Sequence, residues 1–343
     1  MYYVIGGAGF IGCNVARRLL AEGEPVVIAD DLSRRGAEAN LDWLRSLGSF
    51  TFVEADIRDA GAMGSLFSGV QDEDVVIHLA GQVAVTASVA NPREDFEINA
   101  AGSLNLLEAV RQSGRRPLFI YASTNKVYGG MENVAIEEHE SRYAYRDYPD
   151  GIPETAPLDF HSPYGCSKGA ADQYVRDYAR IYGLPTAVFR QSCIYGPRQF
   201  GVEDQGWVAW FIIAAVLGRP ITIYGNGKQV RDVLYVDDLT DAYLLAAANR
   251  DTVAGKIYNV GGGPARSMAV WTEFGPMLEE LLGANIATAS GPWRPGDQPV
   301  FISDISAIQR DLGWSPRTSV KEGLASLVDW VQANRGLLGE LGL

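Results

Sequence analysis

Tyr2-Tyr3-Val4-Ile5-Gly6-Gly7-Ala8-Gly9-Phe10-Ile11-Gly12 opens the chain with a short apolar run and a cluster of glycines, three of them in GxxGxxG spacing. From Phe10 to Glu22 the apolar residues recur at helical spacing, and Val26 to Ala29 is a second apolar run. The stretch therefore reads as strand, turn, helix, strand. In that setting Gly6, Gly9 and Gly12 let the backbone approach a pyrophosphate, and Phe10 and Ile11 start the helix whose N-terminus would hold it.

Working outward, Asp30 ends the second strand, eighteen residues after Gly12. A carboxylate there accepts hydrogen bonds from an adenosine ribose, which predicts NAD rather than NADP; Arg34 and Arg35 just downstream could partly offset the repulsion of a 2′-phosphate. Phe50 to Ala55 and Asp74 to Leu79 read as further strands, followed by Asp56-Ile57 and by Ala80-Gly81-Gln82. Asn91-Pro92 opens a helical pattern to about Ser113 that contains Asn99. Pro117 to Ser123 is a strand with Thr124 at its C-terminal end, and Pro185 to Gln191 is another. The alternation predicts an α/β fold, a doubly wound parallel Rossmann sheet.

Residues 129 to 160 form an acidic, Tyr-rich insertion without periodicity, expected to be ordered because of its aromatics. Beyond Ser192 the pattern loosens, with helices at about 207–217 and 237–249 and a strand at 257–260. We expect a smaller mixed α/β substrate domain from about 192–235 and 261–343, and a nucleotide domain from 1–191 and about 236–260. Val320 to Ala333 has helical spacing and reads as packing.

The second chemical signal is His161-Ser162-Pro163-Tyr164-Gly165-Cys166-Ser167-Lys168, where Pro enters a helix and sets Tyr164 and Lys168 four apart on one face. An ammonium beside a phenol favours the phenolate and pulls it down from about 10, giving a base near neutrality. Alone, the pair would read as exposed helical residues. Forty residues after Thr124, and behind a glycine turn, it reads as catalytic.

These three pieces in this order resemble the extended short-chain dehydrogenase/reductase family, the NAD-dependent sugar-nucleotide epimerases and dehydratases. The resemblance implies Thr124, Tyr164 and Lys168 as catalytic residues, with Thr124 hydrogen-bonding the reacting sugar oxygen and Lys168 also holding the nicotinamide ribose. It implies cofactor contacts from Asp56, Ile57, Leu79, Ala80, Gly81, Asn99 and Ser123 besides the glycine turn and Asp30. The dehydratases carry Asp-Glu after the Thr, because elimination needs an extra acid and base; Asn125-Lys126 stands here, so epimerisation leads. Gln199, Gln205, Trp207 and the run Gly225 to Asp232 resemble the branch that inverts C2 of CDP-sugars. Arg231 and Arg294 match diphosphate contacts, as guanidinium forks suit phosphate oxygens. Asn125, Gln199, Gln205 and Trp207 complete the substrate candidates. Inversion at C4 of a UDP-sugar is the alternative; a 4,6-dehydratase and a non-catalytic NAD-binding protein rank below it. The family also implies a homodimer or homotetramer through helices near 92–113 and 163–182.

Composition narrows the partners. A formal charge of -13 over 343 residues, with no Lys/Arg block, argues against nucleic acid. Three Cys without CxxC spacing suggest reduced thiols, and three His give no metal site. No run approaches the roughly eighteen apolar residues of a membrane helix, and the N-terminus enters a strand directly, so the expectation is a cytoplasmic chain.

Overall fold

The structure, a computed structural model, describes residues 1–293 and 297–343. Seven parallel strands form its centre, in the order Lys256–Val260, Thr186–Gln191, Leu118–Thr124, Val75–His78, Tyr2–Ile5, Val26–Asp30, Thr51–Glu54. The chain runs outward from Tyr2–Ile5 to one edge, returns to its other side at Val75–His78, and proceeds to the opposite edge. That reversal puts the crevice where a doubly wound sheet binds ligands.

Successive side chains of a strand point to opposite faces, so each buried strand feeds two cores. Val4, Ile28, Ile77, Ile120 and Phe189 pack on one face against Val15 and Leu19 of helix Phe10–Ala21 and Leu239 of helix Val236–Ala248. Tyr3, Ile5, Val27, Val76 and Val188 pack on the other against Leu106, Leu107 and Val110 of helix Ser103–Gln112 and Val175 of helix Ser162–Tyr182.

A separate core forms around helix Trp207–Leu217, which is apolar on nearly all sides; its Phe211, Ile212 and Ile213 meet Leu324, Leu327 and Val328 of helix Val320–Ala333. Strand Val230–Tyr235 pairs with Cys193–Tyr195, Ser267–Ala269 and Val300–Phe301 beside it. The stretch 261–343 does not stay wholly with this core: Ile305, Ile308 and Trp314 turn back into the core of the seven-stranded sheet.

Two local departures from the sequence pattern bear on the site. The helical pattern from Asn91 is not one α-helix: Pro92–Phe96 passes into a π-helical stretch, Glu97–Gly102, before Ser103–Gln112. The 129–160 insertion contains a hairpin of Ile136–Glu138 and Tyr143–Tyr145, each strand too short to show a period. It is tied down by Tyr145 OH on Val300 O at 2.9 Å and by Ile152 N on Ile302 O at 2.8 Å.

Candidate active site

Gly6 has φ +80°, where a side chain is strained, and a Cβ there would stand 2.5 Å from Ala80 N. A Cβ on Gly12 would run into the Gly6 carbonyl. The turn therefore closes only with glycine. Helix Phe10–Ala21 starts at Gly9 with no side-chain cap, leaving its first N–H groups to an anion. Asp30 is buried, accepting from Ala8 N and Leu32 N at 2.9 Å each. Burial raises its carboxyl above the usual range, against those bonds. This glycine cradle and carboxylate at adjacent strand ends fit a dinucleotide.

Other cofactor candidates fall around the same crevice with differing freedom. Leu79 N and Ala80 N both donate to Ile5 O, at 2.8 and 2.9 Å, fixing the backbone into which Gly81 leads. Asn99 reaches from the π-helical stretch to Gln82: its Oδ1 accepts Gln82 N at 2.9 Å, and its Nδ2 donates to Gln82 O, Asp95 and Ser167 at 3.1 Å each. The Asp56 carboxylate is engaged by Arg58, which holds it below its usual range, while Ile57 O accepts Asn105 Nδ2 at 3.0 Å. Ser123 donates to Asp172 at 2.7 Å, and Asp172 is in turn paired with Arg190. Arg34 reaches across to Gln205 Oε1, 2.8 Å away, within range of the charges of Tyr164 and Asp30.

Tyr164, Lys168 and Thr124 do converge. Pro163 in the first turn starts helix Ser162–Tyr182, and the Thr124 hydroxyl lies close enough to the Tyr164 phenol to favour its ionised form. Thr124 also caps the short 3₁₀ turn Asn125–Tyr128, its Oγ1 accepting Lys126 N at 3.2 Å and standing 3.3 Å from Asn125 Oδ1. The expected electrostatics are reversed, however. Lys168 Nζ donates to Ala122 O at 2.6 Å and lies 4.3 Å over the Tyr121 ring, and among the described residues no hydrogen bond joins it to the Tyr164 phenol. Burial pushes Tyr164 up to about 12, against the nearby Thr124 hydroxyl, and pushes Lys168 down to about 7, against Asp172 and Asp95. Desolvation is the largest cause of both shifts and disfavours both charged forms.

Beside this triad lies a cavity of about 560 Å³ lined by Lys126, Cys193, Gln205, Trp207, Arg231 and Asp297, among others. Arg231 pairs with Asp297 at 2.5 Å. Gln199 is not in the lining: it is buried with its Nε2 on Ile194 O at 3.2 Å, bracing the loop that leads to Gln205. Arg294 lies outside the described residues. Lys126 was not among the sequence candidates; its signal was a charge two residues beyond Thr124, in a run otherwise destined for burial. Among the described residues no cluster of His, Cys, Asp or Glu could hold a metal, and no helix is long and apolar enough to cross a membrane.

A doubly wound sheet carrying a glycine turn, a buried carboxylate at the next strand end and a Tyr-x-x-x-Lys helix beside a largely apolar cavity with a few charged groups defines a dinucleotide-dependent enzyme of the short-chain dehydrogenase/reductase type. Residues 2–261 match the NAD dependent epimerase/dehydratase family, and the chain belongs to it. It is 48% identical to the CDP-paratose 2-epimerase of Salmonella typhi, over 96% of this chain and 98% of that protein. Among solved structures it resembles the UDP-glucose 4-epimerase of Thermotoga maritima with UDP-glucose, at TM-score 0.83 and 34% identity, covering 97% of this chain and 99% of the other. It also resembles a double mutant of the dTDP-glucose 4,6-dehydratase DesIV from Streptomyces venezuelae, with NAD and DAU bound, at TM-score 0.84 and 30% identity, covering 99% of each chain.

Proposed function

We propose that the chain inverts C2 of a CDP-linked hexose, interconverting CDP-paratose and CDP-tyvelose through a transient 2-keto sugar. The observation that carries this reading is the near full-length likeness to a CDP-paratose 2-epimerase. The residues after Thr124 support it, since Asn125-Lys126 supplies no acid-base pair for elimination.

The glycine turn and Asp30 would hold NAD, with Asn99 and Lys168 toward its nicotinamide end; when bound, NAD supplies the capacity to take up and return a hydride. The sugar hydroxyl would enter between the Tyr164 phenol and the nearby Thr124 hydroxyl. Tyr164 takes the hydroxyl proton and later returns it, while Thr124 keeps the oxygen aligned. Burial holds the phenol protonated in the free chain, so Tyr164 first gives up its own proton to solvent and takes the hydroxyl proton as the phenolate. Arg231 and Arg294 anchor the diphosphate while the sugar turns its other face.

The test is conversion of CDP-paratose deuterated at C2. Label retained at C2 of the epimer supports the reading, and loss of label to solvent would replace it with deprotonation beside a carbonyl. Turnover of UDP-glucose but not CDP-paratose would favour C4 inversion instead.

We further propose that 1–191 with about 236–260 forms the nucleotide domain and that most of the remainder forms the sugar-nucleotide domain. We also propose a homodimer through helices 92–112 and 162–182, supported by Phe96, Tyr174, Ile181 and Tyr182, which are 57%, 49%, 66% and 52% exposed. An apolar surface of this kind favours a partner. The three free cysteines support a cytoplasmic location.

A further inference from the structure

We propose that Lys126 binds the sugar-linked phosphate of the nucleotide sugar and acts as the pivot about which the hexose turns. This rests on the nucleotide-sugar reading above.

Thr124 determines where residue 126 goes. By accepting Lys126 N it folds the chain into the Asn125–Tyr128 turn, and the Lys126 side chain leaves that turn along the cavity wall. Its neighbours there are Arg231, Asp297 and Cys193. Among the described residues, Lys126 Nζ has one hydrogen-bond partner, Gln298 Oε1 at 3.4 Å. Charge-assisted bonds run about 2.7–2.9 Å, and an ammonium has three donors. At least two donors are thus unspent among the described residues, and the third is stretched.

Arg231 differs. Its guanidinium is already matched by Asp297 at 2.5 Å and by Val230 O at 2.7 Å. Among the described residues Lys126 is therefore the cavity cation without a carboxylate in contact, Asp297 favouring its charge only from a distance. Burial, then repulsion from Arg231, pushes its ammonium down to about 8. A phosphate oxygen would reverse both effects, so the wall is built for an anion that the protein does not itself supply.

Position selects which phosphate. The carbon proposed to react, C2, adjoins the anomeric carbon that bears the phosphate. A group holding the reacting hydroxyl and a group holding that phosphate must then stand side by side, and Thr124 and Lys126 are two residues apart on one turn. Arg231, on strand Val230–Tyr235, is left for the remainder of the diphosphate.

The test is calorimetric binding of CDP and CMP, which differ by the phosphate in question, to the unaltered chain, Lys126→Met and Lys126→Arg. Met keeps the apolar stem; melting temperature and NAD content check the fold. The expected result is that Met lowers CDP affinity by about tenfold to a hundredfold, leaves CMP affinity unchanged, and is largely rescued by Arg. Equal CDP affinity in the Met variant, or equal loss of CDP and CMP, would overturn the inference alone. Should the Met variant not fold, Lys126→Gln is read by the same two ligands. No CDP binding by the unaltered chain would overturn the nucleotide-sugar reading and this inference with it.

Discussion

The two walls of the site are made differently. On the sheet side, Gly6, Asp30, Gly81 and Thr124 stand at or just beyond the ends of neighbouring parallel strands, and backbone geometry alone brings them together. On the cavity side, Lys126, Cys193, Gln205, Trp207, Arg231 and Asp297 come from separate turns, loops, strands and a helix. The first wall is held by the hydrogen-bond ladder and close glycine contacts, the second by side-chain charge. The sheet wall accordingly suits chemistry common to a family, and the cavity wall suits the choice of substrate.

The contrast can be tested hardest where the sheet wall hides an ion pair. Arg190 and Asp172 are 2% and 0% exposed and stand 2.9 Å apart beneath Ser123. Arg190→Met leaves a buried carboxylate uncompensated and is expected to cost about 3–5 kcal/mol in denaturant unfolding. A loss below 1 kcal/mol would show that the wall does not depend on this pair. Next, Tyr164→Phe should lower turnover by at least about a hundredfold while melting and NAD affinity hold; full activity would remove Tyr164 from the chemistry.

On the other wall, Arg231→Met should raise KM for the CDP-sugar by about tenfold with a smaller change in kcat. A drop confined to kcat would erase the division of labour between the walls. The smallest effect is a slope. The folded chain holds Lys168 near 7, against an ordinary value of 10.5. Between those values the unfolded chain binds the extra proton, so stability rises with pH across that window. Unfolding free energies of the unaltered chain minus those of Lys168→Met should therefore grow from about pH 7 to pH 10, and a flat difference would show that Lys168 is not desolvated.

Legibility in the sequence followed the same division. Helices Trp207–Leu217 and Val320–Ala333 have the expected bounds, and the strand expected at 257–260 joins the sheet edge beside Thr186–Gln191. Each has a continuous apolar or amphipathic signal. The hairpin at 136–145 was not legible, because three-residue strands carry no period. Spacing placed Tyr164 and Lys168 on one helix but said nothing of desolvation, which sets both their protonation states. Gln199 was expected at the ligand by its neighbours; its Nε2 braces a loop on Ile194 O, while its Oε1 has no partner among the described residues. Lys126 escaped because its role depends on Gln298, more than 170 residues away, offering only a long bond.

The π-helical stretch Glu97–Gly102 has a consequence for descent. A π-turn holds one residue more than an α-turn, so it is an insertion stored without displacing the helices on either side. Pro92–Phe96 and Ser103–Gln112 both remain packed, and the surplus is absorbed where Asn99 reaches Gln82 and Ser167. Aligned with a relative whose helix is plain α, this chain would show a one-residue gap at that point. The gap itself, rather than any change of residue type, would be the inherited mark of Asn99's place in the crevice.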